Sequence, residues 1–425
     1  MCAGSAVHRW CLPVDSGWFV PDGSGKQYFA QGLSMRVRNI IAVVVVLVLA
    51  GAVVLFGVVP REVAKRNNPV AVPPPYMVSP AASRLHASLF VADLHADSLL
   101  WGRDLLVYDT IGQVDVPRLI KGNVGLQVFS AVTSVPANRN MQRNSADGAD
   151  VITLLAIAER WPLRTWRSIK QRALYQAGKL QAFADRSAGR LVLIRSRADL
   201  ERYLSERADN RAVVAGLLAL EGAQVLEDDV QNVDAMYAAG YRMLGLVHLF
   251  DNEVGGSVHG EQKQGLTGFG RAVVERAEVL NMILDMAHTS PALFDEVLAM
   301  ATRPVVSSHT GVQGTCAGVR NLTDAQLRAI AATGGVIGIG YWSTATCGGD
   351  VAAIIRSIRY TTDLVGVEHV ALGSDFDGSV QTPFDTTGLS LVTAGLLADG
   401  FSAADIAKIM GGNVVRLLQA TLPAE

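Results

Sequence analysis

Residues 282–309 read MILDMAHTSPALFDEVLAMATRPVVSSH, and the pattern of this stretch decides the fold. Two short apolar runs, Met282–Met286 and Pro304–Ser308, flank an amphipathic stretch, Ser290–Ala301. A continuous apolar strand, then a helix, then a second apolar strand is the pattern of neighbouring strands in a parallel sheet. The stretch therefore predicts one βαβ unit.

The same unit recurs through the rest of the chain. The predicted strands are Phe90–Leu94, Val124–Val128, Ala212–Leu220, Arg242–His248, Met282–Met286, Pro304–Ser308, Gly335–Tyr341 and His369–Ser374. The predicted helices include Leu266–Leu280, Ser290–Ala301, Thr323–Ala332 and Ser402–Leu418. Eight such units favour an α/β fold of the closed (β/α)8 TIM-barrel type. A doubly wound open sheet is the alternative, weakened because no G-x-G-x-x-G follows the first strand. Residues 150–186 form an additional helical insertion to which we assign no chemistry.

Composition excludes two classes of protein. The chain of 425 residues has 37 Lys+Arg against 39 Asp+Glu, and half of it is apolar. So apolar a chain is not intrinsically disordered. No Lys/Arg-rich block appears, so we expect no nucleic-acid partner.

The N-terminal part contains a predicted membrane span. Ile40–Val59 carries no charge, and 20 residues of helix measure about 30 Å, the hydrocarbon thickness of a bilayer. A buried core helix and a cleaved signal peptide are the alternatives. No A-x-A-like cleavage site follows the apolar run directly, which argues against a cleaved signal peptide. We favour an uncleaved signal anchor that attaches the protein to a membrane.

The flanking charges bear on orientation. Arg36 and Arg38 precede the span, and three basic residues follow it, namely Arg61, Lys65 and Arg66. The numbers of positive charges on the two sides of the span are therefore nearly equal, so the positive-inside rule gives only a weak preference. We expect the N-terminus inside and the catalytic domain on the extracytoplasmic side, periplasmic or extracellular.

These features divide the chain into four parts. Residues 1–39 are an N-terminal tail, of which 1–34 are interpreted as a mis-annotated start or a short disordered tail. The transmembrane signal anchor, 40–59, follows. Residues 60–80 contain the proline-rich run NNPVAVPPPYMVSP and are predicted to be a stiff linker. The barrel domain is predicted to cover 81–425.

Potential metal ligands cluster at the carboxyl ends of the predicted strands. In the first strand His95 and Asp97 alternate, so both point into the barrel mouth. Other polar residues at strand ends are Glu221, His248, His288, His309, Asp375 and Asp377. Barrel enzymes place their active sites at this face, and imidazoles with carboxylates suit zinc, often as a pair of ions. The remaining histidines, to which we assign no role, are His8, His86, His259 and His369.

These residues lie in motifs that resemble the membrane dipeptidase (renal dipeptidase) family of zinc peptidases. The matching stretches are ADLHADSLL (92–100), ALEGAQVL (219–226), MLGLVHLFDN (243–252), QGLTGFGRAVV (264–274), LDMAHTSPALFDEV (284–297), PVVSSHTGVQGTCAGVRNLTDAQL (304–327) and HVALGSDFDGS (369–379). The resemblance covers roughly residues 84–420 in the right order, and the combined motifs are far more specific than any one of them.

The resemblance implies two Zn²⁺ ions per chain. His95 and Asp97 would hold one ion, His288 and His309 the other, and Glu221 would bridge both. A water shared by two zinc ions ionises near neutral pH, which would supply the hydroxide that attacks the peptide carbonyl. A homodimer is also implied.

The resemblance also assigns roles around the metals. His248 would orient the scissile carbonyl and stabilise the oxyanion, and Asp375 would be the acid/base that shuttles the proton. Arg320 would bind the terminal carboxylate of the substrate, which restricts the substrate to dipeptides. Asp377 is interpreted as shaping the loop.

Two segments depart from the family pattern. The fourth-strand motif reads VHLFDN (247–252), where better-known members are more polar, and the 138–190 segment is unusually long. These departures leave the preferred dipeptide open, including whether its second residue is L or D.

Two cysteines lie in the predicted barrel domain. Cys316 and Cys347 follow the sixth and seventh strands, so their loops should be neighbours. A disulfide in an oxidising compartment and two free buried thiols are the alternatives.

Two other functions compete with a dipeptidase. A different binuclear amidohydrolase would act on cyclic amides, lactones or phosphoesters, but such enzymes commonly begin with His-x-His and often use a carboxylated lysine. Here the pair is His95-x-Asp97, and Glu221 ends the third strand. A non-catalytic metal-binding barrel would be expected to have lost a ligand, and none of the five is replaced.

Overall fold

The computed structural model describes residues 29–425. The interpretation of residues 1–34 as a mis-annotated start or a short disordered tail falls mostly on residues 1–28, which lie outside the described part. The chain separates into two units, Met1–Val53 and Val54–Glu425. Within the described residues, one helix, Val37–Asn67, is long and apolar enough to cross a membrane by length and composition. The predicted span, 40–59, lies within it.

The second unit is built on a closed parallel sheet. Its strands are β1 (Val91–Ala96), β2 (Val124–Val132), β3 (Leu191–Leu193), β4 (Val214–Glu221), β5 (Tyr241–Gly245), β6 (Ile283–Asp285), β7 (Val306–Thr310), β8 (Val336–Ile339) and β9 (Val370–Leu372). The hydrogen-bonded order is β2-β1-β9-β8-β7-β6-β5-β4, and β2 pairs with β4 to close the ring. The predicted eight-stranded TIM-type barrel is confirmed, and the open-sheet alternative is excluded by this closure.

Strand β3 was not predicted. It pairs with residues 214–216 of β4, whereas β5 pairs with residues 218–220 of the same strand. The first residues of β4 therefore extend beyond the start of β5, and β3 satisfies the backbone groups that this overhang leaves unpaired. Three residues are too short a run for a reliable sequence signal.

The first unit contains helix α1 (Phe29–Val53). Helices of the second unit surround the barrel. They are α2 (Val59–Asn67), α3 (Pro80–Ser88), α4 (Val116–Lys121), α5 (Val151–Ala158), α6 (Ile169–Arg186), α7 (Arg197–Asp209), α8 (Gln231–Ala238), α9 (Gly268–Val279), α10 (Pro291–Met300), α11 (Asp324–Ala332), α12 (Ser343–Thr346), α13 (Val351–Val365), α14 (Leu389–Ala398), α15 (Ala403–Ala407) and α16 (Asn413–Thr421). The helices predicted within 266–280, 290–301 and 323–332 correspond to α9, α10 and α11.

The predicted helix Ser402–Leu418 is interrupted. The chain forms α15, a π turn over Lys408–Gly412 and then α16. The backbone at Gly411 is not helical, and a Cβ there would lie 2.3 Å from the carbonyl oxygen of Phe90. The break therefore lets the C-terminal segment approach the beginning of β1, a tertiary contact without a local sequence signal.

The predicted linker, 60–80, differs from the structure at its beginning. Residues up to Asn67 continue the helix, and only then does the chain become extended. The extended part is attached to the barrel domain, because the backbone N–H groups of Ala71 and Val72 donate to the carbonyls of Thr382 and Pro383. The first part of the predicted linker is therefore helical, and residues 71 and 72 are hydrogen-bonded to the loop after β9.

Two apolar layers position the site. One buried cluster draws side chains from all eight strands of the ring, which places it in the barrel interior; it includes Leu94, Leu126, Leu217, Met243, Ile283, Val306, Val336 and Ala371. A larger cluster packs the strands against the helices. The filled interior closes the barrel below, so polar side chains gather at the carboxyl ends of the strands.

Candidate active site

Barrel topology gathers the predicted site residues at one face. His95 lies in β1 and His309 in β7, Glu221 ends β4, and the others follow the ends of their strands. Each is at most 8% exposed; the full set is His95, Asp97, Glu221, His248, His288, His309, Arg320 and Asp375. All except His95 line one cavity of about 660 Å³. The structure thus brings together every site residue predicted from the sequence.

The carboxylate of Glu221 is the centre of the cluster. Its Oε1 atom lies 3.1 Å from Nε2 of His288 and 3.5 Å from Nε2 of His95 and of His309. Nε2 of His95 is also 3.4 Å from Oδ1 of Asp97. One oxygen of Glu221 therefore lies within 3.5 Å of a nitrogen from each of the two predicted ligand pairs.

The atoms that face one another fit a metal centre. Among the described residues, Nε2 of His95, Oδ1 of Asp97 and Oε2 of Glu221 are buried without a hydrogen-bond partner. Such atoms are costly to bury unless something compensates them. Ligand atoms fall into three overlapping groups within 4.8 Å: His95–Glu221–His309, Glu221–His248–His288 and His95–Asp97–Asp375. Nitrogen and carboxylate donors at this spacing suit zinc.

Burial shifts the protonation of this cluster. Desolvation raises the pKa of Glu221 well above its usual range, and the neighbouring carboxylate of Asp97 adds to the shift. Desolvation also lowers the pKa values of His288 and His309 well below the usual range. The histidines are therefore neutral, the form in which imidazole binds metals. A divalent cation would compensate the buried carboxylates.

Hydroxyl and carboxylate groups beneath the cluster orient two of the predicted ligands, and sequence reasoning missed them. Oγ of Ser308 lies 3.2 Å from Nδ1 of His95 and 2.9 Å from Nδ1 of His309, which directs both Nε2 atoms inward. Asp93 accepts hydrogen bonds from the backbone N–H groups of His95 and Ser374. Polar residues next to a ligand within an apolar strand were the available signal.

His248 lies as close to the cluster as two of the proposed ligands. Its Nε2 atom is 3.5 Å from Oε1 of Glu221, and its ring centroid is 4.8 Å from that of His288. Its backbone carbonyl accepts from Oγ of Ser257, which fixes the loop after β5. An imidazole at this position would lie beside any ion that Glu221 helps to hold.

Arg320 lies at the edge of the cluster. Its Nη2 atom donates to the carbonyl of His309 at 2.7 Å, and its guanidinium carbon is 5.9 Å from the ring centroid of Trp342. It forms no ion pair with any Asp or Glu of the described chain. Burial lowers its pKa, although Asp375 and Glu221 oppose this effect. A buried arginine facing a cavity in this way suits a carboxylate ligand.

A disulfide joins two loops beside Arg320. Cys316, after β7, and Cys347, after β8, are bonded, with their Cα atoms 5.1 Å apart. The structure therefore has the disulfide rather than the free-thiol alternative. The cross-link holds the loop of Arg320 against the loop of Trp342.

Two carboxylates after β9 differ in their surroundings. Asp375 lines the cavity, and burial raises its pKa to about 8, with Asp97 adding to the shift and His95 opposing it. Asp377 points away and is paired with Arg103. This arrangement agrees with the interpretation of Asp377 as a loop-shaping residue.

The cavity also contains residues that the sequence did not associate with function. His259 is fully buried; its Nδ1 donates to the carbonyl of Met141 at 2.9 Å, and its ring centroid is 5.4 Å from that of His288. Part of the insertion, including Val151, Ile152 and Leu155, forms an apolar side of the cavity. Only the fold brings these distant segments to the site.

Comparisons with known proteins agree with this geometry. The family described as "Membrane dipeptidase (Peptidase family M19)" matches residues 80–424. A relative from Klebsiella pneumoniae, "Uncharacterized protein in pqqA 5'region", is 33% identical over 57% of this chain and 94% of its own length. "Dipeptidase aclJ" of Aspergillus oryzae is 26% identical over 77% of each chain.

A solved structure has the same fold. It is the metallo peptidase from Rhodobacter sphaeroides liganded with a phosphinate mimic of the dipeptide L-Ala-D-Ala. The match has a TM-score of 0.64 and 24% identity, and covers 78% of this chain and 99% of that one. The family match spans the whole barrel, so the chain belongs to the membrane dipeptidase family, Peptidase family M19, and is a metal-dependent dipeptidase of that family.

Proposed function

We propose that the protein hydrolyses dipeptides with a free C-terminal carboxylate, using two zinc ions per chain. The observation that carries the proposal is the position of Glu221 between two pairs of ligands, with Arg320 on the rim of the same cavity. The first feature supports a binuclear centre. The second supports a short, anionic substrate.

We divide the five proposed ligands as the resemblance to the family implies. His95 and Asp97 would hold one ion, His288 and His309 the other, with Glu221 between them. When bound, zinc supplies Lewis-acid polarisation of the scissile carbonyl and lowers the pKa of water to about 7. The chain itself contributes the inward direction of the Nε2 atoms of His95 and His309, which Ser308 fixes through their Nδ1 atoms.

His248 and Asp375 would handle charge and protons during the reaction. His248 lies beside the cluster, where its imidazole can donate a hydrogen bond to the carbonyl oxygen as negative charge develops there. Asp375 is buried near His95 and Asp97 and can transfer a proton from the attacking water to the leaving amine. Neither role requires a nucleophilic Ser or Cys.

Arg320 would select substrates by length. Its guanidinium can bind a carboxylate with two parallel hydrogen bonds, and the disulfide fixes the loop that carries it. A longer peptide would place a neutral amide at that point, and the buried charge would lose its partner. Dipeptides with a C-terminal D residue are included in the proposal, because the Rhodobacter structure holds a mimic of L-Ala-D-Ala.

The placement of the domain is a second proposal. We infer that the helix within Val37–Asn67 anchors the chain in a membrane and that the barrel lies on the extracytoplasmic side. The disulfide between Cys316 and Cys347 supports this side, because disulfides persist in oxidising compartments. The homodimer implied by the resemblance stays a prediction.

The test uses the full chain in detergent. Elemental analysis of the purified protein should give about two zinc per chain. Hydrolysis should occur with L,L and L,D dipeptides and should fall sharply with the same dipeptides amidated at the C-terminus. Preference for cyclic amides or lactones would instead favour the amidohydrolase alternative, and protein without metal or activity would favour the non-catalytic barrel.

A further inference from the structure

The cavity has an apolar side that the chemistry proposed above does not use. It is lined by Val63, Leu100, Trp101, Val135, Ile152 and Leu155, which we call the apolar wall. These residues come from four separate segments: helix α2, the loops after β1 and β2, and helix α5 of the insertion. No catalytic or metal-ligating role belongs to any of them.

The apolar wall lies across the barrel from Arg320. In the ring order β1-β2-β4-β5-β6-β7-β8-β9, strand β7 is diametrically opposite β2. Arg320 follows β7, whereas Val135 follows β2 and Trp101 follows the neighbouring β1. A dipeptide whose carboxylate binds Arg320 and whose scissile carbonyl lies at the central cluster therefore directs its first residue towards the apolar wall.

Helix α2 is a fixed part of this wall. Ala64 is 3% exposed and packs in one cluster with Trp101 and Ile152. The guanidinium of Arg61 donates to the carboxylate of Asp109 at 2.6 and 3.1 Å. These attachments hold Val63 at the cavity although its side chain is 37% exposed.

A second attachment fixes the end of the same helix. Oδ1 of Asn68 accepts from the backbone N–H of Ser379 at 2.9 Å, and Ser379 itself lines the cavity after β9. The wall is therefore preformed, which limits the ordering cost when a substrate binds.

We propose that the apolar wall is the subsite for the side chain of the first residue, that Val63 of helix α2 determines its specificity, and that the preferred dipeptides begin with a large apolar residue. This inference rests on the proposed function. The physical reason is that an apolar side chain leaves water only if it contacts such a wall, whereas a glycine has nothing to bury there.

Two variants of Val63 test the proposal in the full, zinc-loaded chain. Val63→Trp fills the space beside the wall, and Val63→Asp places a charge on it. Lys65→Trp is the matched control, because Lys65 is exposed on the same helix and does not line the cavity. Steady-state kinetics are measured with Phe-Ala, Lys-Ala and Gly-Ala.

The unmodified protein should hydrolyse Phe-Ala with a kcat/KM about tenfold or more above that for Gly-Ala, as expected for burial of one large apolar side chain. Val63→Trp should lower kcat/KM for Phe-Ala about tenfold, mainly by raising KM. The same variant should change kcat/KM for Gly-Ala by less than about twofold. Val63→Asp should lower kcat/KM for Phe-Ala and raise kcat/KM for Lys-Ala. Lys65→Trp should resemble the unmodified protein.

Other outcomes overturn the proposal. If both Val63 variants changed kcat/KM for Phe-Ala and for Gly-Ala equally, or did not change it at all, the apolar wall would not contact the first residue of the substrate. Hydrolysis of Gly-Ala without a preference for Phe-Ala would remove the proposed specificity and leave the proposed function standing. No hydrolysis of any dipeptide by the unmodified protein would overturn both.

Discussion

Asp375 and Asp377 lie two positions apart in one loop, yet their carboxylates have opposite surroundings. Asp377 is fully buried and pairs with Arg103; it also accepts from Oγ of Ser98 and from the backbone N–H of Gln113, both at 2.7 Å. Asp375 lines the cavity with the proposed metal ligands. One carboxylate is thus structural, and the other is available for chemistry.

The two aspartates should therefore respond differently to the same substitution. We expect Asp377→Asn to lower the free energy of unfolding by about 3 kcal/mol, because Arg103 would remain buried without its counter-charge. We expect Asp375→Asn to lower kcat about 10²–10⁴-fold, since an amide cannot transfer the proton. Urea unfolding and dipeptide kinetics on both variants check this. Both residues have positive φ, which Asn tolerates, so each variant is the control for the other. Equal loss of stability in the two would contradict the assignment.

Glu221 should decide the metal content. Glu221→Gln removes the charge that lies between the two pairs of ligands, so we expect at least one zinc per chain to be lost and kcat to fall by about 10² or more. Elemental analysis after dialysis measures the first effect. The control is Asp228→Asn, an exposed carboxylate close by in the sequence. Two zinc ions retained by Glu221→Gln would argue against a bridging role.

Arg320 should contribute to the hydrolysis only of substrates that have a free C-terminal carboxylate. Arg320→Ala should lower kcat/KM for a dipeptide about 10–10²-fold, because the substrate carboxylate loses its charge-assisted hydrogen bonds to the guanidinium. With the corresponding dipeptide amide, the variant and the unmodified protein should differ little. Arg139→Ala removes a different arginine that lines the same cavity and is the control. An equal loss on the dipeptide and on its amide would assign Arg320 a structural role instead.

Lys179 should make stability depend on alkaline pH. Its Nζ atom donates to the carbonyls of Leu99 and Trp101, and burial lowers its pKa to about 8, although Glu159 opposes the shift. Between pH 8 and the ordinary lysine pKa of 10.5 the unfolded chain binds more protons than the folded one. The free energy of unfolding should therefore rise with pH in this window, by about 1 kcal/mol per pH unit at most.

Substitution isolates this contribution. Unfolding of Lys179→Met, compared with the unmodified protein at pH 8 and pH 9.5, should lack the rise assigned to Lys179. Lys121→Met, which removes an exposed lysine, should keep it. A rise of the same size in Lys179→Met would show that other groups cause it.

Much of the fold could be read from the chain because the signals are local. Eight apolar runs separated by amphipathic stretches indicated the barrel, and helices such as Pro291–Met300 end within one or two residues of their predicted limits. The elements that were missed depend on distant partners. Strand β3 exists because β4 extends beyond β5, and the last predicted helix breaks at Gly411 because β1 lies against it.

The sequence by itself determined which residues could form the site. Parallel strands put their carboxyl ends at one face, so His95, Glu221 and His309 had to meet once the barrel closed. Tertiary structure alone decided what surrounds them. It placed Ser308 beneath His95 and His309, buried Asp377 against Arg103, and brought Val63 to the cavity. These contacts join segments far apart in the chain, and their distances depend on how closed layers pack rather than on any local pattern of residues.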